Sequence, residues 1–104
     1  MKTIIITILT FVLLSTANAY SIESQICNQI CDDYAETAAE VMIERQSGAT
    51  ASELHSEYAE CDFSTAIVLA AFDVPVQETN EQVSFIVREY MNRIYVECMS
   101  ECLP

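Results

Sequence analysis

The chain has 104 residues, of which 52% are hydrophobic, and it carries 16 acidic side chains against four basic ones. This length suits one domain and is too short for two. The formal net charge of −12 argues against a nucleic-acid partner and against adhesion to anionic membranes, because both surfaces are negatively charged.

The N-terminal residues have the features of an export signal. Lys2 provides a positive charge, residues 3–14 form an apolar run, and Ala17–Ala19 ends in the small-x-small pattern that signal peptidase requires. The run falls short of the roughly 20 residues that span a bilayer. We therefore predict a cleaved signal peptide at residues 1–19, a single mature domain at residues 20–104, and no stable membrane anchor after cleavage.

Cleavage would leave 85 residues with three arginines, no lysine and all 16 acidic side chains, for a formal charge of −13. The whole chain has only one glycine and two prolines, so few positions can interrupt a helix. The sequence therefore predicts an exported, periplasmic or secreted protein that is acidic and all-α.

Two long helices are indicated near the ends of the mature chain. Apolar residues at intervals of three or four predict a first helix over 22–46, ended by Gly48. A second such series, opened by a capping box at Thr79–Gln82, predicts the last helix over 80–102. The predicted core stripe of the first helix is formed by Ile22, Ile26, Ile30, Tyr34, Ala38, Val41 and Met42.

Two shorter helices are predicted between the long ones. A capping box at Thr50–Glu53 opens a short second helix. Residues 65–72 are apolar on all sides, a composition that also suits a strand, but a single strand would have no partner elsewhere in the chain. We therefore predict a buried third helix that ends before Pro75.

Four of the five cysteines form two Cys-x-x-x-Cys motifs, one on each long helix. Residues four apart share one helix face. Antiparallel packing joins residues whose numbers have a constant sum, and the pairs Cys27–Cys102 and Cys31–Cys98 have the same sum. We predict these two nested disulfides within an antiparallel helical hairpin. Other pairings remain open, as does a zinc site built from four thiolates.

Cys61 is left over from this pairing. It is predicted to be a buried free thiol or, alternatively, to form an intermolecular disulfide in a homodimer. The acidic neighbours Glu57, Glu60 and Asp62 are expected to raise the pKa of its thiol, which disfavours a catalytic nucleophile.

The remaining polar residues do not indicate catalysis. His55 is predicted to be a solvent-exposed helix residue, and Arg45 to end the first helix, where a cation suits the helix dipole. Arg88 and Arg93 are predicted to form structural ion pairs with acidic neighbours on the last helix, Arg93 with Glu97 at i,i+4. No nucleophile-elbow, phosphate-loop, zincin or EF-hand spacing occurs. We predict no enzyme activity, cofactor or metal. An acidic stripe on the first helix is expected to be a solvated outer face: Asp33, Glu36, Glu40 and Glu44.

Three short motifs carry a family resemblance: Arg45-Gln46-x-Gly48, Ala71-Phe72-x-x-Pro75 and Tyr95-x-x-Cys98. Over roughly residues 31–98 the chain resembles a group of small exported, functionally uncharacterised proteins of proteobacteria and their phages or prophages. The resemblance implies a periplasmic helical protein and transfers no catalytic residue.

The predicted fold is therefore an all-α antiparallel hairpin stapled by two disulfides, with two shorter helices between the long ones. The predicted function is a non-enzymatic exported protein that binds and modulates an envelope or phage protein. The alternative is an acid-responsive periplasmic chaperone, because the many carboxylates lose their charge below about pH 4.

Overall fold

The computed structural model describes the backbone of residues 2–103 and the side chains of residues 22–103. It contains four helices, and no strand occurs within residues 2–103: α1 Lys2–Gln46, α2 Ala51–Tyr58, α3 Asp62–Ala71 and α4 Asn80–Cys102. The helix predicted over 22–46 forms the C-terminal part of α1. The predicted signal peptide has side chains that lie outside the described residues, so its cleavage stays a prediction.

Helices α1 and α4 form the antiparallel hairpin, and two disulfides join them. Cys27 is bonded to Cys102 and Cys31 to Cys98, with Cα–Cα distances of 5.8 and 5.5 Å. The predicted pairing is confirmed. A single antiparallel register satisfies both bridges because each pair of cysteines spans one turn of its helix.

Helices α2 and α3 form a second layer against one side of the hairpin. The core between the layers is built from apolar side chains that are at most 3% exposed: Ala38, Val41, Met42, Leu54, Ile67, Val68, Ala71, Tyr90 and Ile94. Tyr90 of α4 donates a hydrogen bond to the carbonyl oxygen of Ile67 in α3. Burial of these side chains is the main force that holds the two layers together.

The connections are fixed by caps and by polar contacts. Gly48 adopts a φ of +103° after the end of α1, a conformation that favours glycine. Both predicted capping boxes are present, at Thr50 before α2 and at Thr79 before α4. The side chain of Gln46 holds the loop between α3 and α4, because it donates to the carbonyl of Pro75 at 3.1 Å and accepts from the amide of Gln77 at 2.6 Å.

Helix α3 begins three residues earlier than predicted, at Asp62. The hydroxyl of Ser64 accepts hydrogen bonds from the amides of Glu60 and Cys61, which provides a cap before the apolar run starts. The prediction that this helix is buried on all sides is wrong, since Leu69 is 58% exposed. Only the side of α3 that faces the hairpin is covered.

The predicted core stripe of α1 is also wrong at its N-terminal end. Ile22, Ile26 and Ile30 are 55%, 51% and 44% exposed, whereas Cys27 and Cys31 are buried. The cysteines face α4, and the isoleucines lie on a side of α1 that would need the second layer to cover it. That layer reaches only as far as Tyr34, whose ring packs on Phe63 of α3 at 4.7 Å.

Candidate functional site

The four paired cysteines serve a structural role. Their sulfur atoms are bonded to one another, so they are not thiolate ligands and the alternative of a four-thiolate zinc site is wrong. Among the described residues, no group of three or more histidine, cysteine, aspartate or glutamate side chains is arranged to hold a metal ion. Structural disulfides of this kind indicate an oxidising, extracytoplasmic compartment.

Cys61 differs from the prediction in two ways. The thiol is free as foreseen, but it is exposed rather than buried. The Tyr34 hydroxyl lies 3.3 Å from Cys61 Sγ, and this hydrogen bond, aided by Ser64, lowers the pKa of the thiol to about 7. The expected rise in the pKa of Cys61 is therefore wrong, because hydrogen bonds that stabilise the thiolate outweigh its desolvation.

The acidic stripe on α1 is solvated over most of its length, as predicted, except at Glu44. Glu44 is half-buried, and its Oε2 atom has no hydrogen-bond partner within the described structure. Burial, reinforced by the negative charge of Glu44, raises the pKa of Tyr58. Glu44 is an exception because α2 packs over this end of α1 and places Tyr58 near the Glu44 carboxylate.

The other predicted polar positions largely agree with the structure. His55 is exposed. Nε of Arg93 lies 3.1 Å from Oε1 of Glu97, which confirms this ion pair. Both side chains are more than half exposed, so the pair adds little stability. Arg45 has a larger role than expected, because its guanidinium lies over the ring of Phe72 at 4.6 Å.

The hairpin has a second side that α2 and α3 do not cover, which we call the open face. At 3.6 residues per turn, Asp32 lies about 160° around α1 from Tyr34, which contacts α3. Two adjoining depressions follow the line between α1 and α4, with volumes of about 290 and 320 Å³. Their lining defines the open face: Asp32, Ala35, Ile43, Val83, Ser84, Val87, Arg88, Met91, Asn92 and Tyr95.

Arg88 lies at the centre of the open face. It is exposed and lines both depressions, and it also lines a third at the start of α4 together with Glu81. The ion pair predicted for Arg88 is wrong, because within the described residues Arg88 has no ion pair, in contrast to Arg93. The open face therefore combines an apolar floor with one cation, Arg88. Asp32 lies in the same depression as Arg88, and Glu81 lies in the adjoining third depression.

The apolar repeat of α4 did not predict this face, because it indicates a single stripe. In the structure the apolar residues form two stripes: Ile86, Tyr90 and Ile94 on the side of the second layer, and Val83, Val87, Met91 and Tyr95 on the open face. The signal that could have predicted the open face is the width of the apolar arc on α4, which is greater than one partner helix can cover.

No protein-family description, curated protein or solved structure matches this chain. Within the described residues, no helix has the length and apolar character needed to cross a membrane.

Proposed function

We propose that the mature chain is a non-enzymatic binding protein of the periplasm, which modulates an envelope or phage protein by docking it on the open face. The observation that carries this proposal is the apolar floor that lies between α1 and α4, opposite the second layer. Contiguous apolar patches of this kind on small proteins are typical of interaction sites.

The construction of the hairpin supports a docking role. Two disulfides and the layer of α2 and α3 hold α1 and α4 in place, so the open face is preformed. A preformed surface loses little conformational entropy when a partner binds. The resemblance to small exported proteins of proteobacteria and their phages supports an envelope location and suggests two roles, modulation of lysis or exclusion of other phages.

Site-specific crosslinking in the periplasm tests the proposal. A photoreactive residue at Asn92, which is exposed on the open face, should capture one stoichiometric partner. The matched control places the same residue at Leu69, which is 58% exposed on α3. Capture from both positions alike, or no partner from Asn92, would contradict the proposal.

Cys61 supports a further part of the proposal, a covalent homodimer. The thiol is exposed and its pKa of about 7 favours the thiolate, which can attack the disulfide of an oxidised thiol–disulfide exchange protein of the compartment. The thiolate of a second copy then attacks Cys61 in the mixed disulfide, and the exchange protein leaves in its reduced dithiol form. It lies on the side of the second layer, next to Tyr34, so a Cys61–Cys61 bridge would leave both open faces accessible.

An acid-responsive chaperone is the second candidate. It is favoured by the excess of carboxylates, of which one forms an ion pair within the described residues. Low pH does not break the disulfides, so acid would open the second layer and leave the hairpin closed. Binding of a hydrophobic dye between pH 7 and pH 3 distinguishes the two functions, since unchanged fluorescence would exclude the chaperone.

A further inference from the structure

We infer that the occupant of the open face is an amphipathic helix of the partner, with basic residues at both ends and a carboxylate at its centre. This inference rests on the proposed function and specifies the chemistry of the partner. It is carried by the shape of the open face and by the order of charges along it.

The shape favours a helix. The two depressions form one shallow furrow between two antiparallel helices, and a third helix fits such a furrow with its apolar side inward. The floor is provided by half-buried side chains of α4: Val83, Val87, Met91 and Tyr95. Ile43, 49% exposed, forms the facing wall from α1.

The charges follow one another along the furrow. Glu81 lines the third depression, which adjoins the furrow at Ser84 and Arg88, and it precedes Arg88 by seven residues, or about 10 Å along α4. Asp32 lines the same depression as Tyr95, which is another seven residues beyond Arg88. The order along the furrow is therefore negative, positive, negative, over about 20 Å, or about 14 residues of a partner helix.

The complementary helix carries a charge of the opposite sign at each of these three positions. Residues seven apart lie on nearly the same helix face, so basic, acidic and basic side chains at this spacing can meet Glu81, Arg88 and Asp32 together. The strong negative charge of the whole chain attracts such a basic helix and repels a second copy of the chain. Charge thus favours a different protein as the occupant.

The test uses two synthetic helical peptides of about 18 residues, with the same leucine face and with lysine near both ends. One has glutamate at the centre and the other has lysine there. The folded chain should bind the glutamate peptide about tenfold more tightly than the lysine peptide, measured by fluorescence anisotropy. Arg88→Glu should reverse this preference.

Arg93→Glu is the matched control. It changes the net charge equally but lies on the side of the second layer, beside Val74 and Tyr90. It should keep the preference of the unsubstituted chain. The inference would be overturned if Arg88→Glu and Arg93→Glu showed the same preference between the two peptides, or if neither peptide bound. A dimer of the chain alone that Met91→Asp dissociates would also overturn it, because a second copy would then cover the open face.

The two proposals fail in different ways. Crosslinking from Asn92 can identify a native partner even if neither peptide binds, in which case the proposed function stands and the helical, charge-ordered occupant does not. If the peptides bind with the expected preference but crosslinking from Asn92 captures no native partner, the proposed function fails, while the charge-ordered helix site on the open face stands.

Discussion

The Tyr90 hydroxyl of α4 donates a hydrogen bond to the carbonyl oxygen of Ile67, and this contact joins the second layer to the hairpin inside the core. Tyr90 is 3% exposed, and burial raises the pKa of its phenol to about 12. The hydroxyl therefore remains a donor at every pH at which the protein would function.

Tyr90→Phe should lower the free energy of unfolding by about 1 kcal/mol, because it removes this buried hydrogen bond and retains the ring. Urea denaturation measures the change. Tyr95→Phe is the control, since Tyr95 bonds to Asn28 in an exposed position and its loss should have a smaller effect. Equal effects in the two variants would show that the Tyr90 bond has no special role.

Removal of one disulfide should lower the free energy of unfolding by less than removal of both. In the chain-entropy model, a bridge that closes a chain segment of 67 residues stabilises by about 4 kcal/mol, and the second, which then closes a short loop, adds about 3 kcal/mol. Replacing one pair by alanine should leave a folded, less stable protein. Replacing both should unfold it, since a small domain has a margin of about 5 kcal/mol. Circular dichroism and thermal unfolding would show whether the double removal is tolerated.

The reactivity of Cys61 should titrate near neutral pH. Alkylation by iodoacetamide should reach half its maximal rate at about pH 7, because the thiolate is the reactive form. Tyr34→Phe removes the strongest hydrogen bond to Cys61 Sγ and should move this midpoint towards about pH 8.5. The lowered pKa of the folded thiol also means that its contribution to stability is present at high pH and is lost as the pH falls through about 7. A midpoint that does not respond to Tyr34→Phe would contradict this role of the tyrosine.

The exported protein should migrate as a covalent dimer on a non-reducing gel, and Cys61→Ser should abolish that dimer. The exposed position of the thiol permits the approach of a second copy. Ser64→Ala is a useful control, because it alters the cap of α3 but keeps the thiol. A strictly monomeric protein isolated without reductant would argue against the homodimer.

Intact mass spectrometry of the exported protein tests the processing prediction. Cleavage after Ala19 should give residues 20–104. In the covalent dimer, the four intrachain disulfides and the Cys61–Cys61 bridge should lower the mass of two chains by that of ten hydrogen atoms. Reduction followed by alkylation should add five alkyl groups, one for each cysteine. An unprocessed N terminus would overturn the predicted signal peptide.

The long-range pairing could be predicted from the sequence because two periodic signals agreed. The cysteine motifs and the apolar repeats each specify a helix face, and only one antiparallel register satisfies both. The extent of the second layer could not be predicted in this way. Whether Ile26 is covered depends on how far along α1 the start of α3 lies, and helical periodicity contains no information about that position.

The environment of Cys61 shows a similar limit. Its neighbours in sequence are acidic, and they led to the expectation of a raised pKa. The group that decides the pKa is Tyr34, which is 27 positions away and approaches only because α3 folds back on α1. The open face was missed for a related reason, since two apolar stripes on one helix appear as a single broad one until their partners are known.

The position of the Cys27–Cys102 bridge has a mechanical consequence. Tension applied to the chain outside these two residues passes directly through the covalent S–S bond, and the segment between them bears none of it. The protein would therefore act as an inextensible link between whatever its two ends are attached to, and stretching would leave the open face intact.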